Sequence, residues 1–226
     1  MEYTGRNKIE EVYKYVRSKI LNMEYIPGAI ISENTIAKEL KISRTPIREA
    51  FKKLEMEGLI VTLPSKRKQI FLLTMEDVRK IFDIKKSLEG SIAKWAVERG
   101  VEEDFIKLKE IIEDMERIAQ NQITSIEDEN FKEWLQRDND FHELLFKMAN
   151  NDRAELIIKN LNAQWHRLRL GILAIEGRIS ISTREHKEIA EAILAKNSQR
   201  AEELMKGHLS NLEKLLINLM KTFNYP

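Results

Sequence analysis

A mainly α protein in two parts is the fold class that the sequence predicts, and three observations predict it. Apolar residues recur at helical spacing over most of the 226 residues. The two β-like apolar runs, Leu59–Leu63 and Gln69–Leu73, both fall before Thr74. Charge divides at the same place: residues 1–73 hold 14 Lys+Arg against 9 Asp+Glu, a net of +5, and residues 74–226 have a net of −4. The expected domains are therefore 1–73, three helices and a β-hairpin, and 74–226, an antiparallel bundle of about six helices.

The bulk composition excludes several chemistries. With no cysteine there is no disulfide framework, thiolate nucleophile or thiolate metal site. No apolar run approaches the roughly 18 residues that a membrane span needs, and Met1–Arg6 lacks the apolar stretch of a signal peptide. A soluble chain of the reducing cytoplasm, with no membrane partner, is the expectation.

In the first part, Ile9, Val12, Tyr13, Val16 and Ile20 set a helix over about 6–22. Pro27-Gly28 breaks the chain. Ser32 then caps a short helix bearing Ile36, Ala37 and Leu40. The next helix starts at Thr45-Pro46, with Thr45 as the expected N-cap and Ser43 the alternative. It buries Ile47, Phe51, Leu54 and, at its end, Met56, and stops at Gly58. Two strands joined by Pro64-Ser65-Lys66-Arg67-Lys68 complete the layout of a winged helix-turn-helix.

Such a layout presents the start of its second helix to the major groove of double-stranded DNA. Arg44 and Arg48 suit guanine, whose O6 and N7 match the guanidinium fork. Ser43, Thr45 and the first helical N–H groups suit phosphate. Lys66, Arg67 and Lys68 form a basic tip able to reach the backbone. The coincidence of these cations with the capped start and the hairpin sets them apart from an ordinary solvated helix face.

The second part opens at Thr74, with Asp77 three positions on. Helices are expected at about 75–99, 102–120, 127–149, 151–174, 182–197 and 199–222. Within 127–149 one stripe reads Phe131, Leu135, Asp138, His142, Leu145 and Ala149, so Asp138 and His142 stack on an apolar face. His186 shares a stripe with Ile189, Ala190 and Ile193; His208 shares one with Ala201, Leu204, Met205 and Leu212. His186 lies 11 residues before Asn197 and His208 lies 11 after it, which brings them level if the last two helices form a hairpin there. One carboxylate and three imidazoles on interior faces are a candidate site for a divalent transition metal, with coordination positions left for water or an organic acid. His166 lies at the edge of its own helix's stripe, as packing or a ligand contact.

Ile26-Pro27-Gly28, Ser32-Glu33, Ile36-Ala37, the run Ile42-Ser43-Arg44-Thr45-Pro46-Ile47-Arg48-Glu49-Ala50 and Glu57-Gly58-Leu59-Ile60 resemble the GntR family of bacterial regulators over residues 7–73. Leu88-Glu89, Asp138, Phe141-His142, Asn150, Glu185-His186 and His208 resemble the all-helical FCD effector domain of its FadR-type branch over 75–215. The resemblance implies Arg44, Thr45 and Arg48 as DNA contacts. It also implies Asp138, His142, His186 and His208 as ligands of a metal, zinc or nickel in character, completed by a small carboxylate. Three positions depart from the family's pattern: Asn34 where arginine is common, a wing with no glycine after its basic residues, and Lys85 where arginine often stands. Lysine lacks arginine's bidentate reach, so Arg167 and Arg169 join Lys85 and His166 as candidate effector contacts.

These readings combine into a homodimeric regulator, a repressor by default, that binds a palindromic operator and answers to a small carboxylate at a metal. Two alternatives compete. One is a purely structural metal. The other is a metal-dependent hydrolase with a DNA-binding arm, for which a general base is lacking: Asp140 sits two residues from Asp138 on another face, and Glu143 points about 100° from His142.

Overall fold

Two units divide the chain in the computed structural model, which describes residues 3–121, 123 and 125–223, the side chains of 3–7 and 167 lying outside that set. The first comprises Met1–Thr74 with Lys159–Arg167, the second Met75–Ile158 with Leu168–Pro226. A stretch of the seventh helix thus groups with the N-terminal unit, which the sequence reading did not anticipate.

The first unit contains α1 (Tyr3–Leu21), β1 (Ile30–Ile31), α2 (Glu33–Leu40), α3 (Arg44–Met56), β2 (Ile60–Thr62) and β3 (Lys68–Ile70). Val12, Val16 and Ile20 of α1, Ile36 of α2, and Ile47, Phe51 and Leu54 of α3 are buried together with Ile60 and Ile70 of the sheet. Ser32 caps α2 by accepting from the Thr35 N–H at 3.1 Å. Ser43, in extended geometry, is the N-cap of α3, so Thr45 is the second helical residue rather than the cap. Pro46 did not fix the start because every N–H of the first turn lacks an intrahelical partner, and a proline costs little at any of those positions. Met56 is exposed rather than buried. It lies two residues past Leu54, about 200° around the helix.

The sheet is antiparallel in the order β1-β3-β2. Its strands are shorter than the apolar runs, although Phe71 N–H donates to Leu59 O at 3.0 Å and extends the pairing beyond them. The two-residue β1, pairing Ile30 with Gln69, was not expected. It is placed by Gly28, whose φ of +80° suits glycine and whose N–H donates to Ile70 O at 2.9 Å. At the wing tip Lys66 takes φ 63°, a left-handed conformation adopted here without glycine.

The second unit holds α4 (Met75–Arg99), α5 (Glu102–Ala119), α6 (Glu129–Ala149), the ends of α7 (Asp152–Leu173), α8 (Arg178–Leu194) and α9 (Ser198–Thr222). α4 packs along α9 and against α6, α5 against α6 and α8, and α8 against α9. α8 begins at Arg178, a turn before the expected 182, behind Gly177 at φ 75°. Asn197 caps α9 by accepting from the Arg200 N–H at 3.0 Å, fixing the α8–α9 hairpin where the histidine spacing requires it. Trp134 and Phe141 of α6 are fully buried, and the Trp134 indole N–H donates to Thr183 Oγ1 of α8 at 2.8 Å. Among the described residues no helix is long and apolar enough to cross a membrane.

Candidate metal centre and DNA-reading surface

The start of α3 is open to solvent: Ser43, Arg44, Thr45 and Arg48 are all exposed. Pro46 and Ile47, between them, are buried and anchor the first turn to the core. Arg44 and Arg48 both reach Glu33 on α2, each at 3.3 Å. At the wing Lys66 and Arg67 are exposed. Lys68 is different. It is half-buried, and its ammonium lies 2.5 Å from Glu55 Oε2 and 2.7 Å from Thr62 Oγ1. It ties β3 to α3, so the exposed cations of the tip are Lys66 and Arg67.

In the second unit, α6, α8 and α9 bring His142, His186 and His208 together, with ligand atoms all within 4.8 Å of one another. His186 and His208 are buried, their ring centroids 4.7 Å apart. The side chain of His142 keeps 20% exposure and supplies the edge that faces solvent. Phe141 meets the His186 ring edge-on at 4.7 Å, which fixes the imidazole's plane. Asp138 is buried one turn before His142, with Oδ1 3.6 Å from His186 Nε2.

A second ring of groups decides which nitrogens point inward. His186 Nδ1 lies 2.7 Å from the Ser182 carbonyl and His208 Nδ1 lies 2.8 Å from Glu185 Oε2. Both oxygens only accept, so each Nδ1 donates, which in the neutral ring leaves Nε2 as the ligand atom. His142 Nδ1 stands 3.7 Å from Glu89 Oε2, and its Nε2 faces His186 Nε2 at 3.2 Å. Those two nitrogens stand close enough to share a proton or to bind one cation. Burial pushes His142 well down and lowers His186 to about 4, so both imidazoles are neutral, as metal ligands must be, near neutral pH. These residues fit a divalent transition metal in donor type, convergence and protonation.

The supporting carboxylates are themselves neutralised. Burial disfavours the charge of Glu185, but hydrogen bonds from His208 and Asn211 and the nearby Arg178 hold it at about 2. Lys85 and Glu89 form a buried ion pair one turn apart on α4. Burial also opposes the Asp138 charge, and Arg169 with the three imidazoles outweighs it, leaving about 2. Glu185, Arg178 and Glu89 had no assigned role in the sequence reading. The signal available was adjacency, since Glu89 and Glu185 stand in the Leu88-Glu89 and Glu185-His186 pairs.

The four candidate effector contacts separate. Lys85 is buried against Glu89, and burial lowers its pKa. Arg169 pairs with Asp138 Oδ2 and donates to Asn139 Oδ1 at 3.2 Å, at the edge of the imidazole cluster. His166 belongs to the stretch grouped with the first unit, whereas the three clustered histidines belong to the second. The side chain of Arg167 lies outside the described residues.

Two family models match the chain: one described as "Bacterial regulatory proteins, gntR family" over residues 8–68, the other as "FCD domain" over 80–211. An uncharacterized HTH-type transcriptional regulator, YdhC of Bacillus subtilis (strain 168), is 28% identical over 89% of this chain and 87% of its own length. The HTH-type transcriptional repressor RspR of Escherichia coli (strain K12) is 27% identical over 91% of this chain and 87% of its own. Among solved structures, E. coli McbR/YncC superposes with a TM-score of 0.68 at 18% identity, covering 94% of this chain and 98% of that one. At that identity the likeness bears on fold alone.

Proposed function

The chain belongs to the gntR family of bacterial regulatory proteins and carries an FCD domain, and from that premise we propose a repressor whose operator affinity is set by a small organic acid bound at a divalent metal. That it is a DNA-binding transcriptional regulator and not an enzyme follows from the two matched families and the similar regulators, and the hydrolase reading is set aside. The repressor sign follows the relative named as one. On DNA, Arg44 and Arg48 are the proposed base readers. Ser43 and Thr45 engage phosphate, and Lys66 and Arg67 bring the wing to the backbone. A homodimer in the cytoplasm, on a palindromic operator, matches one such reading head per half-site.

One observation carries the sensing part of the proposal: the convergence of His142, His186 and His208 within 4.8 Å, each Nδ1 facing an acceptor. Zinc or nickel suits an imidazole-carboxylate set, with Asp138 as the fourth ligand. Such an ion offers open positions to a carboxylate. Arg169, at the edge of the cluster, is the chain's own candidate for receiving the acid's negative charge, in place of Lys85, which Glu89 already holds. The reading is tested by native mass spectrometry of protein purified without chelator. It expects a dimer carrying one ion per chain, and ion loss in His186→Ala. A wild-type chain that binds no divalent ion from a zinc- and nickel-supplemented buffer sinks the metal reading.

A further inference from the structure

Glu33 stands on the face that carries the base-reading arginines, which is an unexpected place for a carboxylate. An acidic group beside a polyanion weakens binding to any sequence. Its geometry is specific. Arg48 donates from Nε to Oε1 and from Nη2 to Oε2, both at 3.3 Å. Arg44 donates from Nη2 to the same Oε2 at 3.3 Å. One carboxylate therefore clamps two guanidinium groups side by side. In each, Nη1 and the second hydrogen of Nη2 are left by Glu33 for the paired donation that guanine O6 and N7 accept.

The clamp is held more firmly than what it holds. The Glu33 side chain is 18% exposed, against 57% for each arginine. It projects from the first turn of α2, a turn that Ser32 caps. Burial opposes its ionisation, but the hydrogen bonds from Arg48 and Arg44 prevail and lower its pKa, so it is charged at neutral pH.

We propose that Glu33 is a specificity-determining positioning residue: it presets Arg44 and Arg48 for base edges and withholds part of their charge from the phosphates of arbitrary DNA. Free arginine side chains carry considerable rotamer entropy. Ordering them before binding spares the specific complex that cost. The carboxylate's repulsion of phosphate falls on all complexes, and only the specific one recovers it through base contacts. The net effect is a larger ratio between operator and random DNA. The inference rests on the reading of Arg44 and Arg48 as base readers.

The full-length wild-type chain is first used to select a consensus duplex from random double-stranded DNA. That duplex and a random-sequence duplex of equal length are then titrated by fluorescence anisotropy at several salt concentrations, with wild type, E33Q, E33D and R48A. For E33Q the expected result is at least about tenfold weaker binding of the consensus. Binding of the random duplex should be equal or tighter, with a steeper salt dependence. E33D, which keeps the charge one methylene shorter, is expected to fall between wild type and E33Q. An unchanged ratio in E33Q overturns the clamp. So does a parallel loss on both duplexes with a lowered melting temperature, which marks a merely structural role in α2. If the wild type selects no consensus, or R48A retains full preference for it, the base-reader reading itself fails and the clamp falls with it. The R48A titration separates that failure from the first two.

Discussion

Single side chains in this protein act mostly through the partner that holds them. His208 presents Nε2 to its neighbours because Glu185 takes its Nδ1–H at 2.8 Å, and Glu185 is in turn fixed by Asn211 at 2.9 Å and Arg178 at 3.2 Å. Outer partners of this kind typically alter metal affinity by about 10–100-fold when removed. Glu185→Gln is therefore expected to weaken zinc binding by about that factor while leaving the helices intact, as read by competition with a chromophoric chelator and by circular dichroism. Equal zinc affinity in Glu185→Gln and wild type contradicts the role given to Glu185. The wing makes a contrasting case. Lys66 is exposed, and its proposed role is contact with phosphate rather than with a base edge. Lys66→Ala should weaken all DNA about equally and reduce the slope of log affinity against log salt by about one. A loss confined to the operator would instead make Lys66 a reader of sequence.

Elements are set by a few backbone positions, and two of these are testable. Gly28 holds φ +80°, and an added Cβ there meets nothing closer than Leu72 Cδ2 at 3.7 Å. Gly28→Ala therefore isolates backbone strain from crowding, and a loss of about 1 kcal/mol in urea unfolding is expected. Asp104 anchors the start of α5 by accepting from Val101 N–H at 3.4 Å and from Lys147 at 2.6 Å. The Lys147 hydrogen bond outweighs burial and lowers its pKa. A depressed carboxylate stabilises above its unfolded value, about 3.9, and loses that contribution as pH falls through the lower folded value. The melting-temperature gap between wild type and Asp104→Asn is thus expected to be full at pH 7 and to close below about pH 4. A gap that persists unchanged at pH 3 refutes the sign. These cases also show why some elements were legible in the sequence and others were not. The histidines could be placed because helical stripes and the Asn197 hairpin are local patterns. β1, two residues long, has no period to detect. The pairing of Arg169 with Asp138 depends on how α7 lies against α6, and no local pattern sets that. Lys68 read as a cation of the tip because a sequence shows charge but not Glu55 waiting across the turn.

At the level of the whole molecule, the question is whether an ion at the imidazole cluster would only hold the second unit together or would also report a ligand. Three imidazoles from α6, α8 and α9 and a carboxylate from α6 tie three helices at one point, so an ion there stabilises the folded chain whatever else it does. At a free ion concentration 100 times its dissociation constant, that linkage is worth about 2.7 kcal/mol. Chelator-treated protein should accordingly melt at lower temperature and recover on adding zinc. Both readings share that result. Sensing requires more: an acid that binds one form of the protein better must shift operator affinity by the same coupling, typically about 5–150-fold. Arg169 gives this a handle within the chain. Were Asp138 to ligate an ion, Arg169 would lose that ion pair and its guanidinium would be available to an added carboxylate. Zinc-loaded wild type is therefore expected to change its affinity for the consensus duplex across a panel of mono-, di- and tricarboxylates. Arg169→Gln should bind zinc yet respond more weakly. If no acid alters DNA binding while zinc still raises the melting temperature, the centre is a structural cross-link and the chain binds DNA without a small-molecule signal.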